Sequence, residues 1–417
     1  MKNSIFTISI LIIVIIINVS CLERKNSIPD LPYVFITEWG SKSSGVRELN
    51  NFAGITTDTK GNVYVTDCRN CQIQVFDSNG RFITKWGSKG SGDGEFNEPR
   101  GIAVNSSGNI YVADSFNHRI QVFDSKGNFI NKWGAREIEE ELSIDSKTID
   151  KLKGKISKDS LLKLKKLKDS GYHSSRRSGV AYVLEHLKFT SKEIELITDF
   201  NIDKDVNFSD EIAIDVNGYV YVACIHRAIY FNEVMYDADE VKKFTPEGNL
   251  VLKWSDPDHM VSRDSWGRTT GLGSIAVDRN GDVYVTYCEE GKVIPPVPGQ
   301  KVGYLYESWI YKYDKTGKFI MKWGDKNTKS KSIKGFLSTG AIAVDSKSHI
   351  FITDYYYGCI HIYDSTGNFI SKFGTKGSDA GQFNMPTHIA LDSKGNLYVT
   401  ERENYRIQKF APNPDYK

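Results

Sequence analysis

Between Gly101 and Gly134 the chain reads GIAVNSSGNIYVADSFNHRIQVFDSKGNFINKWG. Four short apolar segments, at 102–104, 110–113, 120–123 and 129–133, are rich in β-branched and aromatic residues. The spacers at 105–108, 114–118 and 124–127 carry Asn, Asp, Ser and Gly. This spacing predicts four antiparallel strands joined by tight turns. One such sheet cannot bury both of its faces. The unit recurs, however, with entry segments at Gly54, Gly101, Glu211, Ser274, Ala341 and His388. Two of the steps, Gly54 to Gly101 and Ala341 to His388, are each 47 residues. Copies stacked on one another bury what a single sheet leaves exposed.

Counting strands predicts how the stack ends. Six second strands (NVYVTD, NIYVAD, YVYVAC, DVYVTY, HIFITD, NLYVTE) and six third strands are followed by five fourth strands, FITKWG, FINKWG, LVLKWS, FIMKWG and FISKFG. The segment FITEWG at 35–40 has the missing pattern. The expectation is an all-β, six-bladed β-propeller over 33–417, with the N-terminal strand completing the last blade.

These residues resemble the NHL-repeat family, whose units have a Pro-x-Gly-Ile-Ala-Val-Asp entry, a Tyr-Val-Ala-Asp strand, an Asn-x-Arg-Ile-Gln-Val-Phe strand and a closing Trp-Gly. The resemblance covers roughly residues 33–134 and 207–411. It implies the propeller fold and leaves function open, because propellers host unrelated activities.

Met1 and Lys2 precede an apolar run at 5–17, then small residues and Cys21. The run is shorter than the ~20 residues of a membrane span, so 1–21 reads as a secretory signal. Residues 18–21 resemble a bacterial lipobox, with Asn18 in place of the usual aliphatic residue. That resemblance implies lipidation of Cys21, a tether at 22–32 and an exported, membrane-anchored protein of the cell envelope. Simple cleavage would give a secreted or periplasmic soluble protein instead. The formal net charge is +2, without the basic excess on which nucleic-acid binding by bulk charge depends. Expected partners are therefore a protein, peptide or glycan, and no nucleic acid.

Three insertions interrupt the pattern. Residues 135–206 include a Lys-rich stretch at 151–168, with Leu161, Leu164 and Leu167 at helical spacing, and a capping-box sequence at Thr190 and Glu193. This predicts a small helical cap whose Leu side packs on the propeller and whose Lys side faces water; the alternative is a basic amphipathic stretch lying on anionic lipid. Residues 225–240 and 288–308 separate second and third strands in blades three and four, the latter with Pro295, Pro296 and Pro298. In a propeller, connections between blades and between strands two and three open on one rim. All three insertions therefore fall on the same face, and long connections concentrate function.

By register, the entry positions surround the mouth of the central channel, where Glu211 and His388 replace small residues. The ends of the second strands supply a second ring of Asp67, Asp114, Cys224, Tyr287, Asp354 and Glu401, with Arg402 beside it. Such carboxylates suit a hard cation such as calcium. Asp114 with Arg119, and Glu401 with Arg406, share a spacing and are expected to brace the loop. His388 and the segment 402–408 also resemble the lyase half of the peptide-amidating enzymes, which implies zinc held by His residues from different blades. The other entries here are Gly, Glu, Ser and Ala, so register does not supply the three or so protein ligands of catalytic zinc. No nucleophile elbow, P-loop or His-Glu-x-x-His motif is present. Cys68, Cys71, Cys224, Cys288 and Cys359 all sit at or beside one class of loop, and Cys68 with Cys71 fits either a disulfide or half a metal site. The chain is thus expected to be a binding or scaffold propeller. The alternative is a metal-dependent lyase or hydrolase at the channel mouth.

Overall fold

A computed structural model describes residues 31–40, 52–134, 142–144, 146–169, 173–174, 184, 187–198, 209–224, 229–231, 234–236, 240–255, 271–294, 303–324 and 339–416. Residues 1–30, Cys21 included, lie outside them. Among the described residues the chain forms six four-stranded sheets. Blade one is Phe52–Thr57, Val63–Asp67, Gln72–Phe76 and Phe82–Trp86, and blade two is Pro99–Val104, Ile110–Asp114, Arg119–Phe123 and Phe129–Trp133. Blade three is Ser209–Ile214, Val220–Cys224, Glu240–Phe244 and Leu250–Trp254, and blade four is Gly271–Val277, Val283–Ile294, Gly303–Tyr313 and Phe319–Gly324. Blade five is Thr339–Val344, Ile350–Asp354, Cys359–Tyr363 and Phe369–Phe373. Blade six is Pro386–Leu391, Leu397–Glu401 and Arg406–Pro412, with Tyr33–Trp39 as its fourth strand. Each first strand packs against the first strands of both neighbours, blade six against blade one included, so the ring is closed.

The turn from first to second strand is built alike in every blade. Asp58 Oδ1 accepts the N–H groups of Lys60 and Asn62, and Asn105, Asp215, Asp278, Asp345 and Asp392 repeat this bonding. The turn also needs one residue in the left-handed region. Gly fills it in five blades and Ser348, with φ of 61°, in blade five. Four buried tyrosines, Tyr64, Tyr221, Tyr284 and Tyr398, donate to the second oxygen of their blade's Asp at 3.1–3.2 Å.

Neighbouring blades are locked by an indole on a glycine. A Cβ on Gly127 would fall 2.7 Å from the Trp86 ring, and one on Gly248, Gly317 or Gly367 would fall 2.2, 2.8 or 2.9 Å from the rings of Trp133, Trp254 and Trp323. The predicted clasp uses this lock. Trp39, on the N-terminal strand, lies on Gly80 of blade one, where a Cβ would be 2.5 Å from the ring. The strand pairs antiparallel with Arg406–Pro412 from Tyr33 opposite Pro412 to Trp39 opposite Ile407. Tyr33 stacks on Phe373 and meets Phe351 edge-on, tying the clasp to blade five as well.

Two expectations about the insertions change. The helices Ser146–Leu152, Lys158–Asp169 and Ser191–Thr198 bury Ile149, Leu152, Leu164, Leu167, Ile194 and Ile197 in a core that also takes in Ile144, Leu184 and Phe189. Among the described residues, the apolar side of the insertion therefore packs on the insertion's own helices, not on the propeller as predicted. Three helices can bury their stripes against one another, which one amphipathic helix cannot. In blade four, most of the third insertion, 288–308, continues the ladder, with pairing as far as Ile294 opposite Gly303. Pro295, Pro296 and Pro298 lie outside the described residues. In blade three, Ile229–Phe231 and Val234–Tyr236 pair as a small separate hairpin.

Candidate functional site at the channel

The first strands of all six blades line a central cavity of about 190 Å³. Ile, Ala, Val and Leu form most of its wall, and Glu211 and His388 are the ionisable groups in it. Both residues follow a bulge. Pairing between first and second strands slips at every entry, between Ser209 and Glu211 in blade three and between Pro386 and His388 in blade six. Bulges re-aim side chains. A threonine of the second strand takes up the displaced N–H. Thr400 Oγ1 accepts from His388 N at 3.0 Å, and Thr286 and Thr353 accept from Ser274 and Ala341 at 2.8 Å.

Blades three and six face one another across a six-membered ring. His388 Nε2 lies 3.2 Å from Glu211 Oε1, so the pair spans the bore. Both side chains are partly exposed, at 20% and 16%. Nδ1 of His388 has no hydrogen-bond partner among the described residues. An imidazole and a carboxylate so placed can accept and donate to a polar ligand entering the channel. Together they offer two potential metal ligands.

The second ring is not part of the cavity lining. Asp67, Asp114, Cys224, Tyr287, Asp354 and Glu401 are buried, and Arg402 is exposed on the loop that follows. The carboxylates turn to the third strand and the entry loop. Asp114 accepts from Asn97 N at 2.7 Å, Arg119 Nε at 2.7 Å and Gln121 Nε2 at 3.0 Å. Glu401 does the same with Asn384 N, Arg406 Nε and Gln408 Nε2 at 2.6–2.7 Å. Both arginines also reach carbonyls of the entry loop, Ser91, Gly92 and Glu95 in one case and Ser378, Asp379 and Gln382 in the other. These pairs brace the loop, and register alone did not reveal that the radial direction of the side chains is outward.

The three positions recur in every blade, because the strand register is the same. Blade one has Asp67, Gln72 and Gln74, with Gln74 Nε2 3.0 Å from Asp67 Oδ2. Blade three has Cys224, Glu240 and Lys242, with Lys242 Nζ 3.5 Å from Glu240 Oε2. Blade four has Tyr287, Trp309 and Tyr311, with the tyrosine rings 4.7 Å apart. Blade five has Asp354, Cys359 and His361, a trio with three ligand chemistries that the sequence reading passed over. Comparing the third strands copy by copy, CIHIYD against RIQVFD, would have found it.

Cys68, Cys71, Cys224 and Cys359 are buried and outside any disulfide. Cys71 Sγ lies 3.6 Å from Cys68 O. Burial, with a smaller push from Glu98, raises the Cys68 thiol to about 11, and burial followed by the Asp354 charge raises Cys359 to about 12. Neither is a reactive thiolate at neutral pH. The side chain of Cys288 lies outside the described residues.

A family described as a 6-bladed beta-propeller matches residues 55–134, and the NHL repeat matches residues 383–410. Similar solved structures include a streptogramin B lyase, at 12% identity over 91% of this chain and 97% of that one, with a TM-score of 0.42. A selenomethionine-substituted virginiamycin B lyase from Staphylococcus aureus is 10% identical over 90% of this chain and 99% of that one, with a TM-score of 0.46. Regucalcin from Agrobacterium tumefaciens, a calcium-binding protein, is 13% identical over 87% and 90%, with a TM-score of 0.44. The fold assignment rests on the sheets themselves. Closed six-fold packing and the two matched segments together make this chain a six-bladed β-propeller that carries an NHL repeat at 383–410.

Proposed function

We propose that the protein is exported, anchored to a membrane through Cys21, and binds a peptide, protein or glycan on the rim that carries the insertions. The observation that carries this is the asymmetry of the two rims. One has the same tight Asp- or Asn-bonded turn in all six blades. The other has the helical insertion, the Ile229–Tyr236 hairpin and the lengthened strands of blade four. Glu211 and His388, at the channel, are the polar contacts assigned to the ligand. Their contact across the bore is also what favours the second reading, a metal-dependent lyase or hydrolase, with calcium or zinc as the candidate ion.

Peptide and glycan arrays probed with the full chain test the binding role. Ligands found there should bind much more weakly to His388→Gly and to a variant with 135–206 replaced by a short Gly-Ser link. His388→Gly restores the commoner type of entry residue and should keep stability within about 1 kcal/mol. Equal affinity in all three proteins would remove both the rim and the channel pair from the site. Turnover of a ligand, abolished by His388→Gly, would establish the lyase or hydrolase reading instead. Palmitate labelling lost in Cys21→Ala is the expected result for the anchor.

A further inference from the structure

The six copies of one structural position act as controls for each other. In blades one, two and six, the carboxylate at the end of the second strand takes hydrogen bonds from the third-strand side chains opposite, Gln74, Arg119 with Gln121, and Arg406 with Gln408. Blade five keeps the carboxylate, Asp354, and replaces those donors with Cys359 and His361. Asp354 Oδ1 is satisfied by the N–H groups of Tyr356 and Tyr357 at 3.1 and 2.8 Å. Oδ2 is buried and has no hydrogen-bond partner among the described residues. It points into the trio, 3.5 Å from His361 Nε2, which is 3.3 Å from Cys359 Sγ. The residues are 0%, 3% and 5% exposed for Asp354, His361 and Cys359.

We propose that Asp354, Cys359 and His361 form a binding site for a zinc-type divalent transition-metal ion. The ligand atoms all lie within 4.8 Å of one another. Zinc bonds of ~2.3 Å to sulfur and ~2.0–2.2 Å to nitrogen and oxygen place tetrahedral ligand atoms ~3.3–3.6 Å apart. The two separations above fall in or at the edge of that range. A thiolate with an imidazole selects zinc-like ions over calcium or magnesium. The ion takes up the acceptor Oδ2, which has no hydrogen-bond partner among the described residues, and so fills the role of Arg and Gln in blades one, two and six. His361 is oriented for this by Tyr363, stacked at 6.4 Å, and by Phe369, edge-on at 6.3 Å. Three protein ligands leave one tetrahedral position for water or an outside donor. The site ties the second and third strands of blade five beside the loop at 355–358. None of its residues line the channel, so it is independent of Glu211 and His388.

Cobalt(II) tests this directly, because a thiolate ligand gives it a near-ultraviolet charge-transfer band. The full chain is purified in detergent, reduced, stripped with chelator and titrated with Co²⁺ alone, then with Zn²⁺. The expected result is a band that saturates at one equivalent and is displaced by Zn²⁺. Cys359→Ser should abolish the band. His361→Gln installs the residue of blades one, two and six, so it should fold, with circular dichroism as the check. It should weaken binding by more than the ~10–100-fold that loss of an outer-shell partner costs. A double variant, Cys68→Ser with Cys71→Ser, should retain the band. Absence of the band in the wild type, or a band unchanged in His361→Gln, would overturn the proposal. Zinc retained in His388→Gly but lost in His361→Gln belongs to blade five, and the reverse pattern belongs to the channel reading.

Discussion

Arg119 ties three pieces of blade two together. Its Nε donates to Asp114 at 2.7 Å, and its terminal nitrogens donate to the carbonyls of Ser91, Gly92 and Glu95 at 2.8–2.9 Å. Asp114 is fully buried, so removing the guanidinium leaves an uncompensated charge. Arg119→Met is therefore expected to cost about 3–5 kcal/mol in denaturant unfolding. A cost below about 1 kcal/mol would mean the pair is an ornament of the loop and not its brace. The pairing of Asp114 with Arg119 was legible from spacing alone, because the register of a hairpin fixes which residues lie opposite. His388 and Glu211 were legible for a related reason, as bulky residues at entry positions that otherwise hold Gly, Ser or Ala. Which way Asp67, Asp354 and Glu401 face was not legible. Period-two alternation separates two faces of a strand, but does not say whether a strand end opens on the channel or on the loop outside it.

At the scale of elements, the insertion between blades two and three is the clearest test of local rules. Thr190 and Glu193 form the predicted capping box. Glu193 Oε2 accepts from Thr190 N at 3.0 Å, and Thr190 Oγ1 accepts from Glu193 N at 3.2 Å. Glu193 Oε1 also accepts from Ser157 N at 3.0 Å, joining the start of Lys158–Asp169 to the start of Ser191–Thr198. Partial burial pushes the Glu193 carboxyl up, but the hydrogen bonds from Thr190, Ser157 and Ser160 together outweigh it and hold the group down at about 2. A depressed value stabilises the fold above the ordinary value of 4.5, and that contribution is lost as pH falls toward about 2. The difference in melting temperature between wild type and Glu193→Gln should thus be largest near neutral pH and shrink between pH 4.5 and 2. A difference that stays constant over that window would remove the ionised cap from the account. The cap was readable because its partners are three residues apart. Its link to Ser157, and the packing of the helices on one another, depend on contacts across tens of residues that no local pattern encodes.

For the whole molecule, ring closure is what holds Glu211 and His388 on opposite sides of one bore. The number of strands made closure legible, since six units shared five fourth strands and a matching segment stood near the N-terminus. Closure brings Tyr33 against Phe351 and Phe373, Phe35 against Phe410, and Trp39 against Phe76, Tyr398 and Gly80. Without the strand Tyr33–Trp39, the strand Arg406–Pro412 becomes an open edge and blade one loses its indole lock. The most direct measurement is the melting temperature of the chain lacking residues 1–40 against one lacking only 1–30. Loss of the three large aromatic side chains Tyr33, Phe35 and Trp39 should lower the shorter form by at least ~10 °C, while the form that keeps 31–40 melts like the full chain. Equal melting of the two truncated forms would contradict the closed ring, and with it the placement of the channel pair.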